Sequence, residues 1–127
     1  MDIGYKENAI KVIEKVLRSI HNEESKSIVN YIDETEIEDL DSLFHFVQKT
    51  LELNRYGSID EYGVPCNFHP KYEYSQMNFH EYDDNSGFAV DYDLTSGSEL
   101  VDMCLQMKFL YTANGGMKSV FVGIEPR

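Results

Sequence analysis

The sequence has 127 residues, enough for one domain with a hydrophobic core but too few for two. Its formal net charge is −12, from 23 acidic and 11 basic residues, and hydrophobic residues make up 42% of it. This composition argues against disorder, and no apolar run approaches the roughly 20 residues of a membrane helix. The excess of acids disfavours nucleic acid and anionic lipid as partners and favours a basic protein.

The N-terminal stretch "MDIGYKENAIKVIEKV" mixes charged and apolar residues. A secretory signal needs a basic start and an uninterrupted apolar stretch, so none is expected here. Cys66 and Cys104 are too few for a disulfide framework and are predicted to be free thiols. We therefore expect a cytoplasmic protein.

The first half of the chain, residues 1–53, predicts helices. A first helix is indicated by apolar residues that recur every three or four positions: Ile3, Ile10, Ile13, Leu17 and Ile20. A second, short helix is expected from Ser25 to Ile32. A third is expected to begin at Thr35, because Thr35 and Glu38 have the spacing of a capping box.

An irregular connection follows over residues 54–70, which contain Gly57, Gly63, Pro65 and Pro70. Residues 71–125 then alternate between apolar and polar with the period of β-strands. Strands are predicted over Tyr72 to Tyr82, Phe88 to Leu94, Val101 to Tyr111 and Val120 to Ile124. Turn residues such as Asn114-Gly115-Gly116 join them into an antiparallel meander.

These elements predict a single α+β domain over residues 1–127. The N-terminal helices would pack on one face of a curved antiparallel sheet of four strands, or slightly more. This order of elements resembles the NTF2-like cone fold, and a related two-layer sandwich is the alternative.

Two patterns resemble metal sites but lack essential parts. Five residues have the spacing of a calcium loop: Asp91, Asp93, Thr95, Glu99 and Asp102. Ser96 stands where that loop needs glycine, and Asp102 where a longer glutamate is usual. Cys66 and His69 would supply only half of a structural zinc site. We therefore expect no metal, no cofactor and no catalytic residues.

The resemblance to the cone fold also implies an alternative function. Some proteins of that fold are small-molecule enzymes or ligand-binding proteins that use an acid or base and tyrosines inside the cone. The residues that could line such an interior here are Tyr72, Tyr74, His80, Tyr92 and Tyr111.

Strand parity predicts an acidic face on the sheet. If Phe88, Val90, Tyr92 and Leu94 face the helices, the intervening Asp91 and Asp93 face outward, as does Asp102 on the next strand. Acids in the adjoining turns would extend this face. The predicted partner-binding residues are Tyr82, Asp83, Asp84, Asp91, Asp93, Glu99 and Asp102. A second acidic run, Asp33 to Asp41, is assigned to the dipole of the third helix.

In its size, its charge, its expected location and its suspected fold, the chain resembles the immunity proteins of bacterial polymorphic and contact-dependent toxin systems. This resemblance implies a non-enzymatic inhibitor that binds and neutralises a cognate basic toxin, often a nuclease domain. Anionic inhibitors that mimic nucleic acid share the same physics, so the two classes remain open. Neither the toxin nor the oligomeric state follows from the sequence.

Overall fold

The computed structural model describes residues 2–64 and 75–126. Helices come first, and most of the strands follow, which confirms the predicted α+β class. The elements are α1 (Ile3–His21), a 3-10 helix (Ser25–Asn30), β1 (Glu34–Thr35), α2 (Leu40–Leu53), β2 (Met77–Glu81), β3 (Gly87–Ser96), β4 (Glu99–Tyr111) and β5 (Met117–Pro126).

In the part of the chain that the structure describes, five strands form one open sheet in the order β1-β5-β4-β3-β2. Strands β2 to β5 are the expected antiparallel meander. The additional strand, β1, pairs with β5 in parallel. The turn between β3 and β4 has positive φ at both Gly97 and Ser98, the backbone geometry that suits a two-residue hairpin loop.

A single hydrophobic core joins the helices to one face of this sheet. Strand β3 contributes Phe88, Val90, Tyr92 and Leu94, as parity predicted, and β4 contributes Leu105, Met107 and Phe109 opposite them. The buried sides of the two long helices complete the core with Ala9, Ile13, Val16, Leu17, Ile20, Phe44, Val47 and Leu51. We call this side of the sheet the inner face and the opposite side the outer face.

The helix predicted to begin at Thr35 begins at Leu40 instead. Thr35 belongs to β1, and the amides of Asp33 and Glu36 donate to Ser119 and Phe121 of the neighbouring strand, both at 2.9 Å. The capping box is therefore not formed. Asp39 caps α2, accepting a hydrogen bond from the Ser42 amide at 3.0 Å. The predicted helix over Ser25 to Ile32 is the 3-10 helix, which ends at Asn30.

Regular alternation in the last predicted strand would place Val120, Val122 and Ile124 on one side of the sheet and Phe121 on the other, and this prediction is wrong. A register shift in the pairing of β4 with β5 lies between Gln106 and Met107, and it leaves Val122 as the extra residue. Phe121 and Ile124 consequently both face the core, whereas Val120 pairs with Lys108 on the outer face.

The strand predicted over Tyr72 to Tyr82 is observed as β2, which is shorter at both ends. Its predicted start at Tyr72 lies outside the described residues. No helix in the described residues is long and apolar enough to cross a membrane.

Candidate functional site

Five of the seven predicted partner-binding residues lie at two opposite ends of β3, whereas Asp91 and Asp93 lie within the strand. Tyr82, Asp83 and Asp84 are in and beside the turn that enters this strand, whereas Glu99 and Asp102 follow the turn that leaves it. Strand β3 has 10 residues, so its two ends are about 30 Å apart at about 3.3 Å per residue. These two groups therefore do not form one cluster of acids.

The prediction that Asp93 projects into solvent is wrong, because this residue is only 5% exposed. The side-chain amide of Gln76 donates to the Asp93 carbonyl at 2.9 Å, and the Asp93 amide donates to the Gln76 carbonyl at 2.9 Å. Cys104, its neighbour on β4, is 1% exposed. Parity thus gives the side of the sheet correctly, but this part of the outer face is not open to solvent.

The rest of the outer face carries charges of both signs. The Asp91 carboxylate lies 3.2 Å from Nε2 of His80. Lys108 contacts Glu36 at 3.1 Å, and Lys118 contacts Glu34 at 2.9 Å. The outer face, predicted from strand parity to be acidic, therefore carries ion pairs with lysines as well as acids.

The tyrosines and the histidine considered for a cone interior do not surround one cavity among the described residues. His80 pairs with Ala89 on the outer face, whereas Tyr92 is buried on the inner face. The Tyr111 ring packs against that of Tyr5, with centroids 4.6 Å apart. The inner face itself is filled by core side chains, including the fully buried Phe88 and Phe109. Tyr72 and Tyr74 lie outside the described residues.

Within residues 2–64 and 75–126, no three histidine, cysteine, aspartate or glutamate side chains are grouped so that they could hold a metal ion. Of the calcium-loop residues, Asp91 contacts His80, and Thr95 donates a hydrogen bond to Asp60 at 2.9 Å. Cys66 and His69 fall outside the part of the chain that the structure describes.

A surface groove lies between the 3-10 helix and the segment that leads into α2. Its volume is about 370 Å³. Apolar contacts are offered by Val29, Ile37 and Leu40, of which Val29 is 53% exposed. The remaining lining residues are polar or charged: Ser25, Lys26, Thr35, Glu38, Asp39 and Asp41. We call this feature the acidic groove.

Hydrogen bonds to the sheet fix one wall of the acidic groove. The Asp33 carboxylate accepts a hydrogen bond from the Ser119 amide at 2.8 Å, so the chain entering β1 is tied to β5 by side chain as well as backbone. The Ile37 amide donates to the Thr35 hydroxyl at 3.0 Å. Across the groove, the Ser25 hydroxyl donates to Oδ1 of Asp41. The 3-10 helix and the start of α2 are thereby held together.

Apart from Asp33, which binds the Ser119 amide, the charges of the acidic segment, Asp33 to Asp41, divide into two groups. Glu34 and Glu36 are paired with lysines of the outer face. Glu38, Asp39 and Asp41 instead line the groove. The Asp39 carboxylate accepts hydrogen bonds from the amide and the hydroxyl of Ser42. Both bonds lower the pKa of Asp39 below the ordinary value of 3.8, and the amide bond has the larger effect. Asp39 is therefore ionised at neutral pH.

Sequence reasoning missed this groove because it assigned the whole acidic segment to a helix dipole. Only Asp39 and Asp41 lie at the start of α2, as its cap and in its first turn. The signal available in the sequence was the number of acids ahead of that helix, which is larger than the number that one helix N-terminus can use. The groove itself could not be inferred, since it depends on the 3-10 helix lying alongside.

No curated protein and no solved structure matches this chain. A family model does match, over residues 18–126, and therefore over all five strands and every lining residue of the acidic groove. The chain belongs to this family, which is described as a domain of unknown function, DUF7668.

Proposed function

We propose that this protein is a non-enzymatic inhibitor, an immunity protein that binds and neutralises a basic toxin domain, for example a nuclease, in the cytoplasm. The observation that carries this proposal is the acidic groove, in which the exposed Val29 and the half-buried Ile37 and Leu40 lie beside three carboxylates. The proposal keeps the class of partner that the sequence indicated. It moves the binding site from the sheet to the junction of the 3-10 helix and α2.

The groove combines the two features that favour a protein partner. Its apolar side chains are partly exposed, so water that covers them is released when a partner docks. This release stabilises a complex by about 25 cal/mol per Å² of apolar surface buried. The carboxylates select a cationic partner, and the net charge of −12 draws it in at long range.

A stable complex needs more surface than the groove alone. Specific interfaces bury about 800 Å² on each partner, so the groove would form the centre of a larger footprint. Tyr31 directly follows the 3-10 helix and is 39% exposed, with the Lys15 ammonium 5.8 Å from the centre of its ring. An exposed tyrosine of this kind is a favoured anchor at interfaces. We place it in the footprint together with Val29.

Two double variants with the same change in charge test the location of the site. Glu38→Lys with Asp41→Lys alters the groove, and Asp83→Lys with Glu99→Lys alters two of the acids that the sequence predicted for the sheet site, one beside each turn that flanks β3. Each pair replaces two acids by two lysines, so the net charge rises from −12 to −8 in both proteins. All four positions are exposed, but Asp41→Lys also removes the hydrogen bond from Ser25, so circular dichroism and Tm of both variants are compared with wild type before binding is measured.

The partner to use is the C-terminal domain of the protein encoded directly upstream, co-expressed in a bacterial host so that growth reports protection. Wild-type protein and the Asp83/Glu99 variant should protect and bind equally well. The Glu38/Asp41 variant should bind about 100-fold more weakly, at about 1.4 kcal/mol for each reversed charge. Failure of wild type to protect would refute the proposed function. Protection by the groove variant, or its loss in the sheet variant alone, would refute the proposed site.

A further inference from the structure

We infer that the partner anchors itself in the acidic groove through an arginine side chain, which lies along Val29 and Ile37 and binds the carboxylates of Glu38 and Asp41. This inference rests on the proposed function and specifies the chemistry of the partner at that site. It follows from the lining of the groove, from the hydrogen bonds its carboxylates already make, and from their position on one wall.

The apolar part of the groove suits the stem of a long cationic side chain. Val29 contributes from the 3-10 helix, and Ile37 and Leu40 from the facing segment. Arginine and lysine bury their methylene groups against such surfaces while the charged head stays at the polar end. A purely aliphatic side chain would use these contacts but leave the neighbouring carboxylates without a partner.

The hydrogen bonds of the carboxylates indicate where a new donor can bind. Asp39 already accepts two hydrogen bonds from Ser42, at 3.0 Å from the amide and 2.8 Å from the hydroxyl. The Ser25 hydroxyl donates to Oδ1 of Asp41, whereas among the described residues neither Oδ2 of Asp41 nor the Glu38 carboxylate takes part in a hydrogen bond or ion pair. These oxygens are therefore the acceptors that a partner would meet.

Several acceptors on one wall favour arginine over lysine. The guanidinium group presents five N–H donors in a rigid plane and can bond to two carboxylates at once, whereas an ammonium acts as a point charge. Guanidinium is also more weakly hydrated, so it loses less on leaving water. Lys26 lines the same groove and supplies a competing cation. Replacing it by methionine should strengthen binding of a second cation.

Three capped tripeptides test the anchor directly: acetyl-Gly-Arg-Gly-amide, its lysine counterpart, and its citrulline counterpart, which has the shape of arginine without the charge. Binding to the full chain is followed by NMR at low salt, through the methyl signals of Val29, Ile37 and Leu40. The arginine peptide should give saturable shifts with a Kd on the order of millimolar, as befits a fragment. The lysine peptide should bind about fivefold more weakly. Citrulline should produce no saturable shift.

Asp41→Asn should weaken arginine-peptide binding by about fivefold, whereas the matched Asp83→Asn should leave it unchanged. Unchanged folding of both variants is checked by their methyl spectra. Equal or tighter binding of the lysine peptide would overturn the arginine inference, as would shifts that avoid the groove. Either result leaves the proposed function standing if the wild-type chain still protects cells and the Glu38/Asp41 variant does not. Loss of protection by wild type would refute the proposed function itself.

Discussion

Replacing Asp60 with alanine should release the connection after α2 from the turn between β3 and β4. The Asp60 carboxylate accepts three hydrogen bonds from this turn: from the Thr95 hydroxyl at 2.9 Å, the Gly97 amide at 3.0 Å and the Ser98 amide at 2.8 Å. The Asp60 amide donates in return to the Thr95 carbonyl at 2.8 Å. One side chain thus joins two segments far apart in sequence.

The size of the effect follows from which donors remain buried. Gly97 is exposed, so water replaces the lost acceptor at its amide. Thr95 is 2% exposed and Ser98 is half-buried, so their donors lose most of a hydrogen bond to a charged group. Allowing about 1–2 kcal/mol for each, Asp60→Ala should lower the free energy of unfolding by roughly 2–4 kcal/mol. At about 3–4 °C per kcal/mol for a chain of this length, Tm should fall by about 6–16 °C.

Urea and thermal unfolding followed by circular dichroism measure this loss. Asp60→Asn should have a smaller effect, because an amide oxygen can still accept from Thr95 and Ser98. The matched control is Glu61→Ala, which removes an exposed ion pair with Arg18 at 3.5 Å and should cost at most about 1 kcal/mol. If Asp60→Ala unfolds at the same temperature as wild type, these hydrogen bonds do not stabilise the turn as argued.

Gly87→Ala should destabilise the sheet by more than about 3 kcal/mol, because an added Cβ would lie 2.1 Å from the Phe109 carbonyl oxygen, at a φ of 156°. Gly57→Ala, whose Cβ would meet its nearest atom at 3.9 Å, serves as the control, and equal urea midpoints for the two would contradict the packing described. Ser42→Ala should raise the pKa of Asp39 part of the way toward 3.8, since the hydroxyl bond is lost while the amide bond remains. A carboxyl group whose pKa is lower in the folded than in the unfolded protein stabilises the fold at any pH above the unfolded-state pKa. This stabilisation is lost as the pH falls through the folded-state pKa. Wild type should therefore exceed Ser42→Ala in stability at pH 7, with the difference shrinking below about pH 3.8. The pKa of Asp39 is measured in both proteins by NMR titration of its carboxyl carbon. Equal pKa values would contradict the role given to the Ser42 hydroxyl.

Long regular patterns made most of the fold predictable. The apolar spacing in α1 continues over 19 residues, and the alternation in β3 and β4 extends over 10 and 13. Patterns of that length are hard to mistake for another element. Strand β1 has only two residues, which is too few to show any period, and its parallel pairing depends on β5 being present. The late start of α2 was missed because Thr35, the predicted start of that helix, belongs to this short strand.

The site was less predictable because it depends on contacts between segments. Strand parity gave Asp93 the correct side of the sheet, but its exposure depends on tertiary packing, and this residue is only 5% exposed. Parity also cannot reveal that Lys108 and Lys118 reach across strands to Glu36 and Glu34. Net charge is a property of composition alone, so it indicated a basic partner without indicating where that partner would bind.

The most direct measurement of the central claim is the footprint of the bound toxin domain on this chain, mapped by amide NMR of isotope-labelled protein. The acidic groove predicts that the largest shifts fall on residues of the 3-10 helix and the start of α2, with Val29, Ile37 and Asp41 among them. Shifts concentrated instead on Tyr82, Asp91 and Asp102, with the groove unchanged, would contradict it.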